Sequence, residues 1–250
     1  MIIVKSKRCS LDKLKKEYPD AVICDVTSHA TDDLVRLSPF YPHGGIPVPF
    51  SPGWTAMSVE GIWQGLKTFE TADIDTAMFR NSTMKDIKRT VRKFGKPLGH
   101  RKGVGGQERL GYITARKLIY VPTYRWVLEN KAILQVEKLR SISRDKTVIL
   151  LDYNTNPDVE DGSSPLSHAS LIKAFIDGTY PVYGDDGIKS SVTSIEAKVS
   201  VEEEFTPGMK VRHPKFGEGT VKSVDGEKIS VSFQEGDKVL LLRMAKLEKL

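Results

Sequence analysis

Apolar and polar residues alternate with different periods along this chain, and each change of period marks a different element. Ile2-Ile3-Val4 is a short apolar run that predicts a strand. Residues 10–18 place Leu11, Leu14 and Tyr18 on one side of a helix opened by Ser10 and stopped by Pro19. The β-rich run 21–27 follows, so the order is strand, helix, strand, compatible with a parallel pair. In residues 38–54 five prolines and three glycines exclude regular helix, while Phe40, Tyr41, Phe50 and Trp54 call for burial, which predicts an ordered loop.

Residues 58–69 return to a helical period. At about 100° per residue, Glu60, Trp63, Gln64 and Lys67 share one stripe, and Ile62, Leu66 and Phe69 share the other. Further on, residues 73–94 read as one or two helices, and 95–106 as a flexible, basic, glycine-rich loop. Helices are expected over 108–119 and 124–143, a buried strand over 148–153, an acidic loop over 154–165, and a last helix from Ser167 to Asp177 ended by Gly178.

From residue 183 to 204 the chain turns polar and reads as a linker, with a Ser/Thr cluster and the run Glu202-Glu203-Glu204. Beyond 205 the period becomes two. Four or five short strands separated by glycine-containing turns predict a small barrel of SH3 or Tudor type. The fold class is therefore α+β: a mainly helical domain with short strands over 1–182, the linker, and a β-barrel over 205–250.

The 250 residues suffice for one larger domain and a small module, and the 39% apolar and 28% charged fractions are globular values. A formal charge of +6 admits an acidic partner such as nucleic acid or a phosphorylated ligand. Cys9 and Cys24 form no CxxC pair, disulfide framework or zinc set, which fits a reducing compartment. Neither a signal-peptide core nor an 18-residue apolar stretch occurs, so a cytoplasmic protein without a membrane partner is expected.

The polar stripe of residues 58–69 has two readings. One is a solvated helix face with a side-chain pair four residues apart. The other is a pocket wall, because the aromatic loop before it can fold over it and Trp63 on a polar face wants cover or a ligand to stack on. Basic residues from Lys85 to Lys102 likewise form either a solvated surface or a phosphate site, with His100 and Arg101 near Gly99 and Gly103. Asp152, Asn154, Asn156, Asp158, Glu160 and Asp161 lack the mid-loop glycine and closing glutamate of an EF-hand, so an acidic turn is preferred over a cation site. His168 at a helix start either packs or approaches a substrate, and five scattered histidines make no metal site.

Leu37-Ser38-Pro39-Phe40-Tyr41-Pro42, followed by Ser58-Val59-Glu60-Gly61-Ile62-Trp63-Gln64-Gly65-Leu66-Lys67-Thr68-Phe69, resembles the signature of the NADAR family of NAD- and ADP-ribose-associated N-glycosidases. The resemblance spans roughly residues 37 to 180. Gly61 stands where that family has histidine, Trp63 where it commonly has phenylalanine or tyrosine, and Pro39 where it has asparagine; the family's late glycine-rich block is not recognisable. The resemblance implies an N-glycosidase that acts on an ADP-ribose-type ligand, some relatives removing ADP-ribose from guanine, with no cofactor and no metal. Glu60 would then stabilise an oxocarbenium-like state or shuttle a proton, and Lys67 would attack the opened sugar as a Schiff base. Gln64 would hold a ribose hydroxyl, Trp63 or Tyr41 would stack on a base, and Ser58, Gly99, His100 and Arg101 would complete the ligand contacts.

Residues 207–221, with Lys238 to Leu242 and Ala245-Lys246-Leu247, resemble the Tudor-like C-terminal domain of UvrD/PcrA-type DNA helicases. That resemblance implies docking to RNA polymerase or another protein, and so proximity to DNA or RNA. The competing expectations are a non-catalytic module that binds ADP-ribose, an NAD derivative or nucleic acid, and an adaptor acting through the barrel alone.

Overall fold

The structure, a computed structural model, describes residues 1–184, 205–225, 228–241, 245 and 247–250. Most of the expected linker, including the Ser/Thr cluster and Glu202-Glu203-Glu204, lies outside the described residues. The chain divides into two compact units, 1–190 and 191–250.

In the first unit, strand β1 (Ile2–Ser6) leads through helix α1 (Leu11–Glu17) to strand β2 (Val22–Asp25). The two strands are parallel, but they do not pair with each other. A distant strand, Val148–Asp152, lies between them, with Ile2 opposite Val148 on one side and Val22 opposite Val148 on the other. As the middle strand it is buried along its whole length, which explains its unbroken apolar run. Its side chains alternate: Ile149 and Leu151 meet Leu14 of α1, while Val148 and Leu150 join the main core.

The proline-rich loop folds into the core through Leu37, Ile46 and Val48, but Phe50 and Trp54 remain 38% and 42% exposed. Short strands β3 (Ile46–Pro47) and β4 (Thr55–Ala56) pair and deliver the chain into helix α2 (Val59–Leu66). A second small sheet follows, in which β5 (Lys67–Phe69), β6 (Pro97–Arg101) and β7 (Arg109–Leu110) are antiparallel.

Several expectations fail in this region. The helical period of 58–69 ends early, since Lys67 to Phe69 leave the helix as strand β5. Residues 73–94 are not one or two long helices but a 3-10 turn, Thr76–Arg80, irregular chain, and the single helical turn α3 (Val91–Phe94). Met84 and Asp86 there adopt positive φ, and the expected flexible loop at 95–106 contains β6. Strand pairing with β5 overrides the local glycine content.

The helical half begins at α4 (Tyr112–Ala115), widens into a π turn at Arg116–Tyr120 and continues as α5 (Val121–Asn130). Pro122 is tolerated because it falls in the first turn of α5. Helix α6 (Ile133–Asp145) runs into the central strand, β8 (Val148–Asp152), and α7 (His168–Ile176) closes the unit with Gly178 at φ 73°.

The second unit is a five-stranded antiparallel sheet in the order β12 (Gly236–Leu241), β11 (Lys228–Phe233), β10 (Gly217–Asp225), β9 (Lys210–His213), β13 (Glu248–Lys249). Val211, Val221, Ile229, Val231 and Phe233 form its core. Gly219 is required there, because a Cβ would come within 2.6 Å of the Phe233 ring.

Candidate active site

Helix α2 is held at its start by Ser58, whose hydroxyl accepts from the Gly61 amide at 3.0 Å, and by the Glu60 amide donating to the Pro39 carbonyl at 2.9 Å. The proline-rich loop therefore fixes the rotation of the helix. Its two glycines face the 3-10 turn: a Cβ on Gly61 would stand 2.7 Å from the Met78 carbonyl oxygen, and one on Gly65 would stand 2.3 Å from the Phe79 ring. This close approach buries all eight residues of α2, polar ones included. The stripe is not a solvated face.

Within it the Glu60 carboxylate accepts from Gln64 Nε2 at 2.8 Å, and Gln64 Oε1 accepts from the Arg89 amide at 3.1 Å. Glu60 is only 8% exposed. Burial raises its pKa, outweighing the Gln64 hydrogen bond and the cations Lys67 and Lys88 that favour the charged form. Lys67, half-buried at the start of β5, keeps its amine 5.9 Å from the Trp63 ring centre. Its pKa is lowered by desolvation, raised by Glu60, and lowered again by Arg89 and Lys88. Burial thus works against charge on both groups, raising Glu60 and lowering Lys67, which sets them apart from a surface ion pair.

The remaining sequence-predicted residues have other occupations. Trp63 is buried and covered: the His100 ring lies 3.7 Å from it, with Tyr112 and Tyr120 edge-on at 5.9 and 5.6 Å. Its indole is a core wall here, not an open stacking platform. His100 sits on β6 opposite Lys67, and desolvation, together with the nearby Lys67 charge, pushes its pKa down to about 3. The Trp63 backbone weakly favours the protonated ring, yet neither ring nitrogen has a well-formed hydrogen bond, so His100 is a neutral packing ring rather than a phosphate ligand.

Arg101 is likewise committed, to the Asp73 carboxylate and to the Gly106 carbonyl at 3.1 Å. Gly99, at φ 138°, serves the sheet, since a Cβ would lie 2.4 Å from the Leu110 carbonyl oxygen. Tyr41 accepts from Arg36 at 3.1 Å and packs on His43, and Ser58 is a helix cap. Of the nine residues singled out from sequence, Glu60, Trp63, Gln64, Lys67 and His100 form one connected cluster.

Three neighbours are not assigned to this cluster from sequence, which reads Lys88 and Arg89 only as part of the basic run 85–102. Arg89 donates to the carbonyls of Gln64, Lys67 and Asp73 at 3.3, 2.5 and 2.7 Å, capping the C-terminal end of α2 and placing positive charge beside Lys67. Lys88 acts on both Glu60 and Lys67. Tyr120, on the π turn, is partly buried near Glu60, and its pKa is raised by desolvation and by that carboxylate. The π turn was the one available signal for Tyr120, and it is invisible without coordinates.

His168 belongs elsewhere. Its Nε2 meets the Val26 carbonyl at 2.8 Å and its Nδ1 meets Asp152 at 3.0 Å, while the Ser167 hydroxyl donates to the same carboxylate at 2.8 Å. Serine bonds to aspartate rather than to histidine, so this trio ties α7 to β8 and to the chain just after β2 and is no nucleophilic triad. Burial disfavours charge on both groups, but their mutual bond prevails, raising His168 and lowering Asp152.

The acidic loop is organised by a side chain. The buried Arg116 guanidinium donates to the carbonyls of Val159, Asp161 and Ser164 and to the Tyr112 hydroxyl. Among the described residues no group of three or more His, Cys, Asp or Glu could hold a metal ion. Among them, too, no helix is long and apolar enough to cross a membrane.

Comparisons with known proteins divide the chain in the same place as its compact units. Residues 205–250 match a family described as "Protein of unknown function (DUF3553)". The C-terminal part is similar to DNA helicase II of Haemophilus influenzae, 42% identical over 65 residues, which are 24% of this chain and 9% of the helicase. The chain therefore spans less than a tenth of that relative's length. Residues 6–172, well over half of the sequence, match the family described as "Family of unknown function (DUF6939)", and the chain belongs to that family.

Proposed function

We propose that the first unit is a divergent N-glycosidase of NADAR type that cleaves a ribosyl N-glycosidic bond in an ADP-ribose-type ligand, such as an ADP-ribosylated nucleobase. The observation that carries this reading is the buried Glu60 carboxyl, its pKa raised by desolvation, on the same face as Lys67, whose amine pKa desolvation lowers. Protonated Glu60 gives its proton to the departing base as the glycosidic electron pair returns to the base nitrogen. The Lys67 lone pair forms the new bond to the anomeric carbon, and the amine proton passes through the Glu60 carboxylate to the ring oxygen as its bond to that carbon breaks and the ring opens to an imine. Water then adds across that imine, releasing the sugar and the free amine.

Gly61 bears on the family resemblance. The Met78 carbonyl occupies the space a side chain there would need, so the histidine of the NADAR signature has no room in this helix. The five-stranded second unit, proposed as a Tudor-like barrel, would dock the enzyme on nucleic-acid machinery and raise its local concentration there. In support, Lys215 and Lys238 flank the half-buried Phe216 ring at 5.6 and 5.7 Å, a cationic aromatic face suited to an acidic partner.

The test is incubation of purified protein with ADP-ribosylated guanosine and with ADP-ribosylated DNA, with and without borohydride. Release of ADP-ribose and a reduced adduct at Lys67 are expected, both lost in Lys67→Ala. Absence of both signals across several ADP-ribosylated bases overturns the proposal. A second reading, a non-catalytic adaptor for ADP-ribose, an NAD derivative or nucleic acid, draws support from the coverage of Trp63 by His100. Under it Lys67→Ala weakens binding and there is no turnover to lose.

A further inference from the structure

A cleft of about 300 Å³ in the first unit shares no lining residue with the Glu60 cluster. Its apolar walls come from the proline-rich loop through Phe50, from α5 through Trp126, and from Tyr183 near the end of the described segment. Thr123 lines the same cleft, is 3% exposed, and its hydroxyl has no hydrogen-bond partner. A buried hydroxyl left unpaired is costly and points to a missing partner.

Each of the three aromatic rings carries a lysine: the Lys102, Lys117 and Lys131 amines stand 5.4, 5.5 and 5.8 Å from the centres of Phe50, Tyr183 and Trp126. Lys102 and Lys117, with side chains 28% and 18% exposed, pair with Glu108 and Glu160 at 3.1 and 2.6 Å, and the glutamate side chains, 60% and 59% exposed, can turn into water and leave the amines to a competing anion. Lys131 has no carboxylate partner among the described residues. An aromatic floor, one unsatisfied hydroxyl and a cationic rim together match a planar heteroaromatic group bearing phosphate. The volume lies at the small end of ligand sites, which run from roughly 300 to 1,000 Å³, so it suits one nucleoside-sized group rather than a whole ADP-ribose.

We propose that this cleft binds a single nucleotide, its base against Trp126, Tyr183 and Phe50 with an edge on the Thr123 hydroxyl, and its phosphate at Lys117, the lysine that lines the cleft, with Lys102 and Lys131 beside the Phe50 and Trp126 rings adding positive charge. The nucleotide is either free or the 5′-terminal unit of a single strand. Calorimetric titration of the full chain with AMP, adenosine, ribose 5-phosphate and a 5′-phosphorylated hexanucleotide tests it. Saturable AMP binding is expected, weaker with adenosine and with ribose 5-phosphate because each lacks one half of the recognition.

Thr123→Val, which keeps the side-chain shape, and Trp126→Leu should each weaken AMP by roughly fivefold or more, on the scale of one lost stacking or hydrogen-bond contact. Lys131→Gln should weaken it by about threefold and flatten its salt dependence. AMP binding that is lost in Glu60→Gln but kept in Thr123→Val and Trp126→Leu would assign the nucleotide to the Glu60 site and overturn the proposal. A hexanucleotide binding about tenfold tighter than AMP identifies the strand end as the source, and equal affinity identifies the free nucleotide. No saturable binding at millimolar AMP, or binding indifferent to Thr123→Val, Trp126→Leu and Lys131→Gln in folded protein, overturns the proposal.

Discussion

Gly61→Ala probes the contact that buries the polar stripe of α2. The new Cβ would sit 2.7 Å from the Met78 carbonyl oxygen and 3.1 Å from the Ser58 hydroxyl. Relaxed carbon–oxygen contacts begin near about 3.3 Å, so the two segments must part by about 0.6 Å. The Met78 carbonyl is backbone, and its turn is held by the Met57 amide on the Phe79 carbonyl at 2.7 Å, so it yields poorly. Overpacking of this kind costs about 1–3 kcal/mol, against about 1 kcal/mol returned by alanine's better helix propensity. The net loss is then up to roughly 2 kcal/mol, a fall in Tm of up to about 8 °C at this chain length.

Gly65→Ala should cost at least as much, because its Cβ would lie 2.3 and 2.7 Å from two atoms of the buried Phe79 ring. Gly105→Ala is the control, with nothing within 4 Å of its added carbon, and should stay within about 0.5 kcal/mol of the parent. Trp54, Trp63 and Trp126 all fall in the first unit, so tryptophan fluorescence during heating reports that unit's transition alone. Should Gly61→Ala and Gly65→Ala melt with Gly105→Ala, the close approach of α2 to the 3-10 turn is wrong, and with it the reason that the stripe is buried.

Other outcomes follow from the same contacts. Arg116→Met strands the carbonyls of Val159, Asp161 and Ser164, and should destabilise the unit by at least about 3 kcal/mol and open residues 154–165 to limited proteolysis; an intact loop would refute the claim that Arg116 organises it. The raised His168 pKa makes its contribution fully present below the ordinary 6.5 and lost as pH climbs through the folded value, whereas that of Asp152, lowered, is present above its ordinary 3.8 and lost as pH falls through its folded value. Asp152→Asn should therefore drop the His168 pKa in an imidazole NMR titration, and an unchanged or higher value would sink that assignment. Because Glu60 is what raises Lys67 against its burial, Glu60→Gln should move the pH midpoint for labelling Lys67 with an amine reagent downward, as read by peptide mass spectrometry; an upward shift contradicts the arrangement.

The unbroken apolar run of β8, the Ser167-capped helix α7 and the change to period two after residue 205 were legible because each depends on local pattern: a strand buried on both faces, a side-chain cap, a pleat. Lys67 was placed on the right stripe for the wrong reason. Its helix stops at Leu66, and pairing with β6, contributed by residues 30 positions away, turns the chain into strand. The same long-range pairing converted the expected loop around Gly99 and His100 into strand, and no local period could foretell it.

Sequence alone determined which chemical groups occupy one side of α2, since an α-helix fixes that by geometry. What only the tertiary structure decided was their state. Gly61 and Gly65 admit the 3-10 turn, β6 lays His100 over Trp63, and Arg89 arrives from outside any regular element to cap the helix beside Lys67. Together these contacts strip water from Glu60 and Lys67, and the loss of solvent, not the identity of the residues, shifts their protonation.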